Sequence, residues 1–347
     1  MKGKSVLVTG HTGFKGSWLS LYLHKLGAQI TGFSLPPSTT PNLFTLANIE
    51  ALVDHRIGDI RDQTTLKELF QEIQPEVVFH LAAQPLVLTS YENPIETFET
   101  NAQGTVHLLE AIRHTPSVKA AVLITSDKCY ENNEWCWGYR EEDKLGGHDP
   151  YSASKAMAEL AISSYRRSFF TSNGPSIASA RAGNVIGGGD FSAHRLLPDI
   201  MKSLLENKSI QLRNPNSVRP WLHVLDPLKG YLQLAQKLLQ EGKPFAEAWN
   251  FGPKDTKLVT AQELVEEAIR LWGSGKWHGE RTFSHPHEMN LLRLSWEKAS
   301  YNLNWCPSFN WQEAISLTVD WFKAFQQGKS MRSICLEQIS LKENSCP

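Results

Sequence analysis

The sequence predicts an α/β protein with a doubly wound parallel sheet and a smaller, mixed α/β C-terminal part. Short β-branched runs alternate with longer stretches of helical period in the first half of the chain, as in repeated βαβ units. These runs are apolar almost throughout, which is typical of strands covered on both faces. A glycine-rich turn separates the first run from the first helical stretch, as in the first βα unit of such sheets.

The N-terminal part contains six predicted strands with helices between them. The strands are predicted at Ser5 to Thr9, Gln29 to Phe33, His55 to Asp59, Val77 to Leu81, Ala120 to Thr125 and Ser176 to Ala180. The helices are predicted at Gly16 to Leu26, Leu66 to Ile73, Ile95 to Arg113 and Ser152 to Phe169. Gly27 is expected to end the first helix as a C-terminal cap.

After about Gly183 the alternation becomes less regular. The predicted elements there are a helix around Pro198 to Leu205, a strand at Ile210 to Arg213, a helix at Leu225 to Leu239, a strand at Ala248 to Phe251, and helices at Ala261 to Trp272, Trp296 to Leu303 and Trp311 to Phe325. The last residues, 331–347, are predicted to be a polar, irregular tail.

Composition excludes several classes of protein. The 347 residues include 35 Lys and Arg and 36 Asp and Glu, which gives a net charge of -1. Without an excess of positive charge, the protein is not expected to bind a nucleic acid or an anionic membrane surface. The longest apolar runs, such as Ala120 to Ile124, are far shorter than the roughly 20 residues needed to span a bilayer. The N-terminus lacks a secretory signal, and the five cysteines lack CxxC spacing. We therefore expect a cytoplasmic protein without membrane segments.

The first turn has the spacing G-x-x-G-x-x-G. Such glycines let a backbone approach a pyrophosphate, whose charge then lies at helix N-terminal amides. The turn predicts dinucleotide contacts at Gly10, Thr12, Gly13, Phe14, Lys15 and Gly16. The end of the second strand, Gly32-Phe33-Ser34, lacks the acidic residue that often binds the adenosine ribose, and no Arg or Lys lies between Lys25 and Arg56. NAD is favoured over NADP, because no basic side chain is available there to pair with the 2′-phosphate of NADP.

A second motif is Tyr151-Ser152-Ala153-Ser154-Lys155. Residues four apart share one face of a helix, so the ammonium of Lys155 is expected near the Tyr151 phenol. That charge is predicted to lower the pKa of the phenol toward neutrality. Tyr151 would then exchange a proton with a sugar or alcohol hydroxyl.

Together these motifs resemble the extended short-chain dehydrogenase/reductase family over residues 4 to 325. Further elements of that family stand in order: Asp59-Ile60-Arg61-Asp62, His80-Leu81-Ala82-Ala83-Gln84, Asn101 through Gly104-Thr105, and Arg219-Pro220-Trp221 followed by His223 and Asp226. The resemblance implies a Rossmann NAD-binding domain at 1–183 that also receives about 224–250. It implies a substrate domain at 184–223 and 251–330. Further NAD contacts are implied at Asp59, Ile60, Leu81, Ala82, Ala83, Thr125, Tyr151 and Lys155.

Within that family, the segment Thr125-Ser126-Asp127-Lys128-Cys129-Tyr130 resembles the sugar-nucleotide 4,6-dehydratase group, in which an Asp-Glu pair supplies a general acid and a general base. Asp127 matches the acid, whereas Lys128 departs from the Glu. A lysine at this position resembles the CDP-glucose branch of the group. The GHTGFKGSW and GNVIGGGD segments resemble the same branch. The resemblance implies CDP-glucose as substrate in deoxysugar (O-antigen) biosynthesis. The implied catalytic residues are Ser126, Asp127, Lys128, Tyr151 and Lys155.

The remaining predictions concern substrate, metal and self-association. Substrate contacts are predicted at Gln84, Asn184, Arg195, Arg219 and His223, with the two arginines able to clamp a diphosphate. Asn184 has the alternative of capping its glycine-rich turn. His285 and His287 with Glu288 lack a third suitably spaced ligand, so no metal is expected. The resemblance implies a homodimer or homotetramer packed through the helices at Ile95 to Arg113 and Ser152 to Phe169.

Three alternatives remain open. A dehydratase acting on a dTDP- or GDP-hexose is the first, because the nucleobase pocket does not follow from the motifs. A nucleotide-sugar epimerase is the second, although epimerases of the family carry no Asp at the position of Asp127. A non-catalytic dinucleotide-binding scaffold is the third, and it has no need of Tyr151, Lys155 and Asp127 together.

Overall fold

The structure, a computed structural model, describes residues 1–255, 259–279 and 291–343. Its strands are β1 (Ser5–Thr9), β2 (Gln29–Ser34), β3 (Asp54–Ile57), β4 (Val77–His80), β5 (Ala120–Ile124), β6 (Ser176–Ala182), β7 (Asn184–Ile186), β8 (Ile210–Leu212), β9 (Val218–Arg219), β10 (Trp221–His223), β11 (Ala248–Phe251), β12 (Val259–Thr260) and β13 (Trp277–Gly279). Its α-helices are α1 (Phe14–Lys25), α2 (Leu43–Leu46), α3 (Gln63–Ile73), α4 (Val87–Glu92), α5 (Pro94–Phe98), α6 (Gly104–Arg113), α7 (Pro150–Ser168), α8 (Leu196–Leu205), α9 (Leu225–Gln240), α10 (Ala261–Trp272), α11 (Glu297–Leu303), α12 (Trp311–Gln326) and α13 (Met331–Glu343). Within the described ranges, none of these helices has the length and apolar character needed to cross a bilayer.

Seven strands form one parallel sheet in the order β11-β6-β5-β4-β1-β2-β3. The chain builds outward from β1 in one direction and from β4 in the other. The reversal lies between these two strands, where Thr9 pairs with His80. In doubly wound sheets, ligands bind at the carboxyl ends of the strands beside this reversal. The predicted fold class is confirmed.

Successive residues of the strands pack on opposite faces of the sheet. Val6 and Val8 belong to a core that contains residues of α1 and α9, whereas Leu7 belongs to a second core formed with α3, α6 and α7. Both faces of β1 are therefore covered by apolar side chains, as its almost continuous apolar sequence predicted. The first core continues without a break into the C-terminal part, where it includes Trp305 and Trp321.

The C-terminal part returns to the sheet before it ends. Helix α9 packs against β5 and β6, and β11 pairs with β6. The other strands after β6 form three ladders, β7 with β10, β8 with β13, and β9 with β12. In the first ladder Asn184 pairs with Trp221. This pairing places residues of two separate sequence motifs side by side.

The single helix predicted at Ile95 to Arg113 is three segments in the structure. Helix α5 is followed by a π-helical turn, Glu99–Gln103, before α6 begins. The wide turn carries Asn101, whose side chain bonds both backbone groups of Gln84 and the hydroxyl of Ser154. Such turns are often found at functional sites.

The prediction of an irregular tail after residue 330 is wrong. Helix α13 occupies Met331–Glu343 and packs against α1 and α12. Its buried side, Met331, Cys335 and Ile339, has a spacing of four residues that a largely polar composition concealed. Arg332 also donates to the carbonyl of Ala47 at 2.8 Å. The helix therefore closes the core beside α1.

Candidate active site

The glycine-rich turn has three glycines with different environments. Gly10 has a φ of +76°, and an added Cβ would lie 2.6 Å from the amide nitrogen of Ala82. At Gly16 an added Cβ would lie 2.1 Å from the carbonyl oxygen of Gly10, so only glycine lets α1 start this close to β1. Gly13 instead is exposed, and its added Cβ would meet only the Gly10 carbonyl at 3.4 Å. The open face at Gly13 and the unpaired amides of the first helical turn suit a pyrophosphate.

Residues at the ends of β2 and β3 border this turn. The Thr12 hydroxyl lies 2.8 Å from the Ser34 hydroxyl and donates to the carbonyl of Leu35. Asp59 accepts two hydrogen bonds from the Arg61 guanidinium, which hold the pKa of this carboxyl below its usual range. Asp59 also lines a cavity of about 450 Å³ with Arg61, Asp62, Glu99, Gln103 and His107. Ile60 is buried.

The loop after β4 is held by its own polar groups. His80 lies between the hydroxyls of Thr9 (2.7 Å) and Thr105 (3.3 Å), and burial lowers the pKa of His80 to about 3. Leu81, Ala82 and Ala83 are partly exposed beside it. The Gln84 amide, predicted to contact substrate, instead donates to Leu86 and Thr97 and accepts from the amide of Leu86. Gln84 therefore shapes the loop, because its side chain is already engaged by neighbouring groups.

Residues 125–130 after β5 form what we call the catalytic turn, which includes a 3₁₀ segment, Asp127–Cys129. The Ser126 hydroxyl accepts from the amide of Lys128 and donates to the Asp127 carboxylate at 3.0 Å. Burial raises the pKa of Asp127, while the ammonium of Lys128 and the bond from Ser126 act in the opposite direction. Lys128 is half-buried.

The space around Asp127 is bounded by the β6–β7 junction. An added Cβ at Gly183 would lie 3.0 Å from Asp127 Oδ2 and 3.9 Å from Pro220 Cγ. Three motifs that are far apart in the sequence therefore lie near one another: the acid, Asn184 and the Arg219-Pro220-Trp221 segment. Asn184 and Arg219 are half-buried, and Arg219 donates to the carbonyl of Val218 at 2.8 Å.

Tyr151 and Lys155 lie on successive turns of α7. Asp149 caps this helix by accepting from the amide of Ser152 at 2.9 Å. The Ser126 hydroxyl is close enough to the Tyr151 phenol to lower its pKa, which places the phenol beside the catalytic turn.

The predicted lowering of the Tyr151 pKa toward neutrality is wrong for this structure. Burial raises the pKa of Tyr151 to about 12, and this outweighs the opposite effects of the nearby Ser126 hydroxyl and of the Arg195 charge. Burial, and after it the charge of Lys15, lowers the pKa of Lys155 to about 8, while Glu159 acts in the opposite direction. Lys155 is therefore an ammonium only below about pH 8.

Lys15 reaches further into the site than its place in the glycine-rich turn suggests. Its ammonium lies close to Asp127, Asp190 and Arg195, and burial followed by the Arg195 charge lowers the pKa of Lys15 to about 8. Arg195 itself is paired with the buried carboxylate of Asp190 at 3.0 Å. Asp190 was missed in the sequence, where its only signal is the end of the GNVIGGGD segment. Together with the acid, Lys15, Asp190 and Arg195 form a cluster of four charged groups.

His223 does not line the site, contrary to the prediction. Its ring has no exposed surface and packs near the rings of Trp18 and Phe309, with centroid distances of 6.5 Å and 5.2 Å. Motif position gave no information on the direction of this side chain. Among the residues that the structure describes, no three His, Cys, Asp or Glu side chains are grouped to hold a metal ion. His285, His287 and Glu288 lie outside the described residues.

Glu159 and Arg181 are two further buried residues that the sequence reasoning missed. The available signal for Glu159 was the continued four-residue spacing after Tyr151 and Lys155. Arg181 gave no local signal, because its partner is 22 residues away in the chain.

Three comparisons place the chain among known proteins. A family described as GDP-mannose 4,6 dehydratase matches residues 7–318. The CDP-glucose 4,6-dehydratase of Salmonella typhimurium is 49% identical over 347 aligned positions, which cover 98% of this chain and 96% of the relative. The structure of dTDP-glucose 4,6-dehydratase from Bacillus anthracis in complex with NAD superposes with a TM-score of 0.78 at 25% identity, covering 95% and 100% of the two chains. UDP-glucose 4-epimerase from Thermus thermophilus, also in complex with NAD, has a TM-score of 0.78 at 26% identity, covering 92% and 98%.

Proposed function

This chain belongs to the GDP-mannose 4,6-dehydratase family, and from that membership we propose that it removes water from CDP-glucose to form CDP-4-keto-6-deoxyglucose. Its whole length aligns with a CDP-glucose 4,6-dehydratase at 49% identity. The predicted resemblance to the sugar-nucleotide 4,6-dehydratases is confirmed. The chain is an NAD-dependent hydro-lyase acting on a nucleotide sugar.

The observation that carries the dehydration is the buried carboxyl of Asp127 beside Ser126 and Tyr151. Burial raises the pKa of Asp127, so this group is able to hold a proton for a departing hydroxyl. An epimerase needs no acid at this position, because no hydroxyl leaves its sugar. The acid next to the Tyr-Lys pair therefore favours dehydration over epimerisation.

NAD fits the residues at the switch point of the sheet. Gly13, Phe14 and Lys15 would hold the pyrophosphate at the open face of the turn, since the amides of the first helical turn have no intrahelical acceptor. Ser34 and Thr12 supply hydroxyls at the end of β2. When bound, NAD supplies a hydride store that is filled from C4 of the sugar and emptied to C6.

The chain's own residues move the protons. Tyr151 removes the proton of the 4-hydroxyl as its phenolate, which is the minority form at a pKa of about 12, and Ser126 hydrogen-bonds the 4-oxygen. Oxidation of C4 to a ketone makes the C5 proton acidic. Lys128 then removes that C5 proton. Asp127 donates its proton to the 6-hydroxyl, which leaves as water. A proton then returns to C5, and the sugar has exchanged its 6-hydroxyl for hydrogen.

Incubation of the protein with CDP-, UDP-, dTDP- and GDP-hexoses tests this proposal, with the products read by mass spectrometry. We expect CDP-glucose to lose one water without net consumption of NAD. If only another nucleotide hexose loses water, the enzyme is specific for the nucleobase of that substrate and not for cytosine. A product of unchanged mass and altered stereochemistry would identify an epimerase, and binding of NAD without any turnover would support the scaffold alternative.

Replacing Arg219 with alanine is expected to raise KM for CDP-glucose with little change in kcat. Arg219 precedes Pro220, which lies near Gly183 and the acid, and it is the predicted diphosphate contact. Loss of a charge-assisted contact costs about 1.5–3 kcal/mol, roughly 10- to 100-fold. Steady-state kinetics measure the split, with Arg113→Ala on the surface of α6 as the control. Free glucose turning over as well as CDP-glucose would contradict a diphosphate clamp.

Activity is expected to fall above about pH 8. The pKa of Lys155 is lowered to about 8, so its ammonium is present below that pH and lost above it. Without that charge, the Tyr151 phenolate is less favoured. Lys155→Arg cannot lose its proton in this range, so its residual activity should lack the alkaline decline. Lys15→Arg is the matched control, because the pKa of Lys15 is also about 8. A decline that disappears only in Lys15→Arg would assign it to Lys15.

We place the enzyme in the cytoplasm as a homodimer or homotetramer. Cys136 is a free, exposed thiol, which suits a reducing compartment. Ile95 is 73% exposed on α5 and Leu160 60% exposed on α7, and these two helices pack side by side. We expect Leu160→Glu to give a monomer in sedimentation, whereas Tyr301→Glu, at an exposed site on α11, should not. Equal masses for both variants would contradict association through this face.

A further inference from the structure

A buried ion pair lies beneath the catalytic turn and has no part in the proton transfers described above. Glu159 on α7 and Arg181 on β6 meet with an Oε2–Nη2 distance of 2.7 Å, and their side chains are 1% and 4% exposed. The carboxylate also accepts from the hydroxyls of Thr125 at 2.5 Å and Ser179 at 2.8 Å. Glu159 is thus bound by three donors, two on β6 and one in the catalytic turn.

Arg181 extends the network to the other end of the turn. Its Nη1 donates to the Tyr130 hydroxyl at 2.6 Å and to the carbonyl of Glu141 at 3.0 Å. The guanidinium lies over the Tyr130 ring, 4.9 Å from the centroid. The Tyr130 hydroxyl in turn donates to Asn250 Oδ1 on β11 at 2.9 Å.

The ion pair therefore holds both ends of the catalytic turn. Thr125, its first residue, is bound by Glu159, and Tyr130, its last residue, is bound by Arg181. Asp127 and Lys128 lie between these anchors. Four residues carried between two fixed points have little freedom to change position.

Stability alone is a weak reason for such a pair. Burying two charges costs several kcal/mol per ion, and well-packed apolar residues are often at least as stabilising. Misplacement of reacting groups by about 1 Å, in contrast, lowers rates by up to about 100-fold. A role in holding reacting groups in position therefore explains the buried pair better than a gain in stability does.

We propose that the Glu159–Arg181 pair positions the catalytic turn, through Thr125 at one end and Tyr130 at the other, so that Asp127 and Lys128 are aligned for elimination. This inference rests on the proposed dehydratase function. Glu159 and Arg181 act through other residues and are positioning residues. Loss of either anchor should slow elimination more than hydride transfer, because Tyr151 and Lys155 are held by α7.

Tyr130→Phe removes one anchor and keeps the ring. Tyr139→Phe is the matched control, because Tyr139 is equally buried and stacks on Tyr130 at 5.2 Å, while its hydroxyl bonds Asn132 and Asn133. Tyr130→Phe should lower kcat for dehydration of CDP-glucose about 10-fold, with KM within about 2-fold and more NADH bound at steady state. Tyr139→Phe should match the wild type. Equal losses in both variants would overturn the proposal.

Thr125 tests the other anchor. Thr125→Val removes the donor to Glu159 without changing the shape of the side chain, and it should lower kcat for dehydration about 10-fold. Thr125→Ser restores the hydroxyl and should recover activity to within about 2-fold of the wild type. Failure of serine to restore activity would contradict positioning through the hydroxyl.

Amide hydrogen exchange separates this proposal from the proposed function. Exchange at residues 126–129, followed by mass spectrometry, should be about 10-fold faster in Tyr130→Phe than in the wild type or Tyr139→Phe. Unchanged exchange in Tyr130→Phe would overturn the positioning role whatever the substrate. A wild-type protein that dehydrates no nucleotide hexose would overturn the proposed function, and the exchange measurement would still decide the role of the pair.

Discussion

Replacing Lys128 with methionine is expected to stop elimination while hydride transfer from C4 continues. Dehydration should fall about 10²- to 10⁴-fold, because methionine has a similar length but cannot accept the C5 proton. In a single turnover, bound NADH and the 4-keto hexose should accumulate. NADH absorbance after rapid mixing measures the first step, and deuterium incorporation at C5 from solvent, which should disappear, measures the second.

The structure gives Lys128 access to a bound sugar. It is half-buried, whereas Ser126 and Asp127 beside it are buried, and its ammonium is close enough to Asp127 to lower the pKa of that carboxyl. Asp127→Asn is the matched variant, and it should retain C5 exchange while loss of the 6-hydroxyl slows. If Lys128→Met keeps near-native dehydration and C5 exchange, Lys128 only supports the site electrostatically, and another group is the base.

The second large effect is expected for Gly13→Val. NAD affinity should fall at least about 100-fold, because the side chain occupies the approach of the pyrophosphate to the backbone of the turn. Folding should be retained, since an added Cβ at Gly13 has only the Gly10 carbonyl near it, at 3.4 Å. Calorimetric titration of protein freed of nucleotide measures the affinity, and thermal unfolding without NAD should give an unchanged Tm.

A size series provides the control at this position. Gly13→Ala adds one methyl group to the same open face and should lose less affinity than Gly13→Val. Gly16→Ala, in contrast, should destabilise the protein, because its Cβ would lie 2.1 Å from the Gly10 carbonyl. Tight NAD binding by Gly13→Val would show that the pyrophosphate does not approach this glycine.

The secondary structure was largely predictable because it depends on near neighbours in the chain. All six N-terminal strands lie within about two residues of their predicted positions, since apolar runs bounded by turn residues are local patterns. The exceptions involve contacts with distant residues. The π turn at Glu99–Gln103 places Asn101 against Gln84. Helix α13 is stabilised because its three spaced apolar side chains are buried where it packs against α1 and α12.

The site divides in the same way. Three parts of the site could be predicted from the sequence, because they are short spacings with a direct chemical meaning: the glycine-rich turn, the Tyr151–Lys155 pair and the Asp127–Lys128 pair. The folded arrangement was needed to show that Lys15 joins the acid and that His223 belongs to the core. It also decided that burial raises the pKa of Tyr151 to about 12. Desolvation and the pairing of charges depend on segments far apart in the chain, such as Trp18 and Phe309 around His223, and no local spacing records which segments will meet.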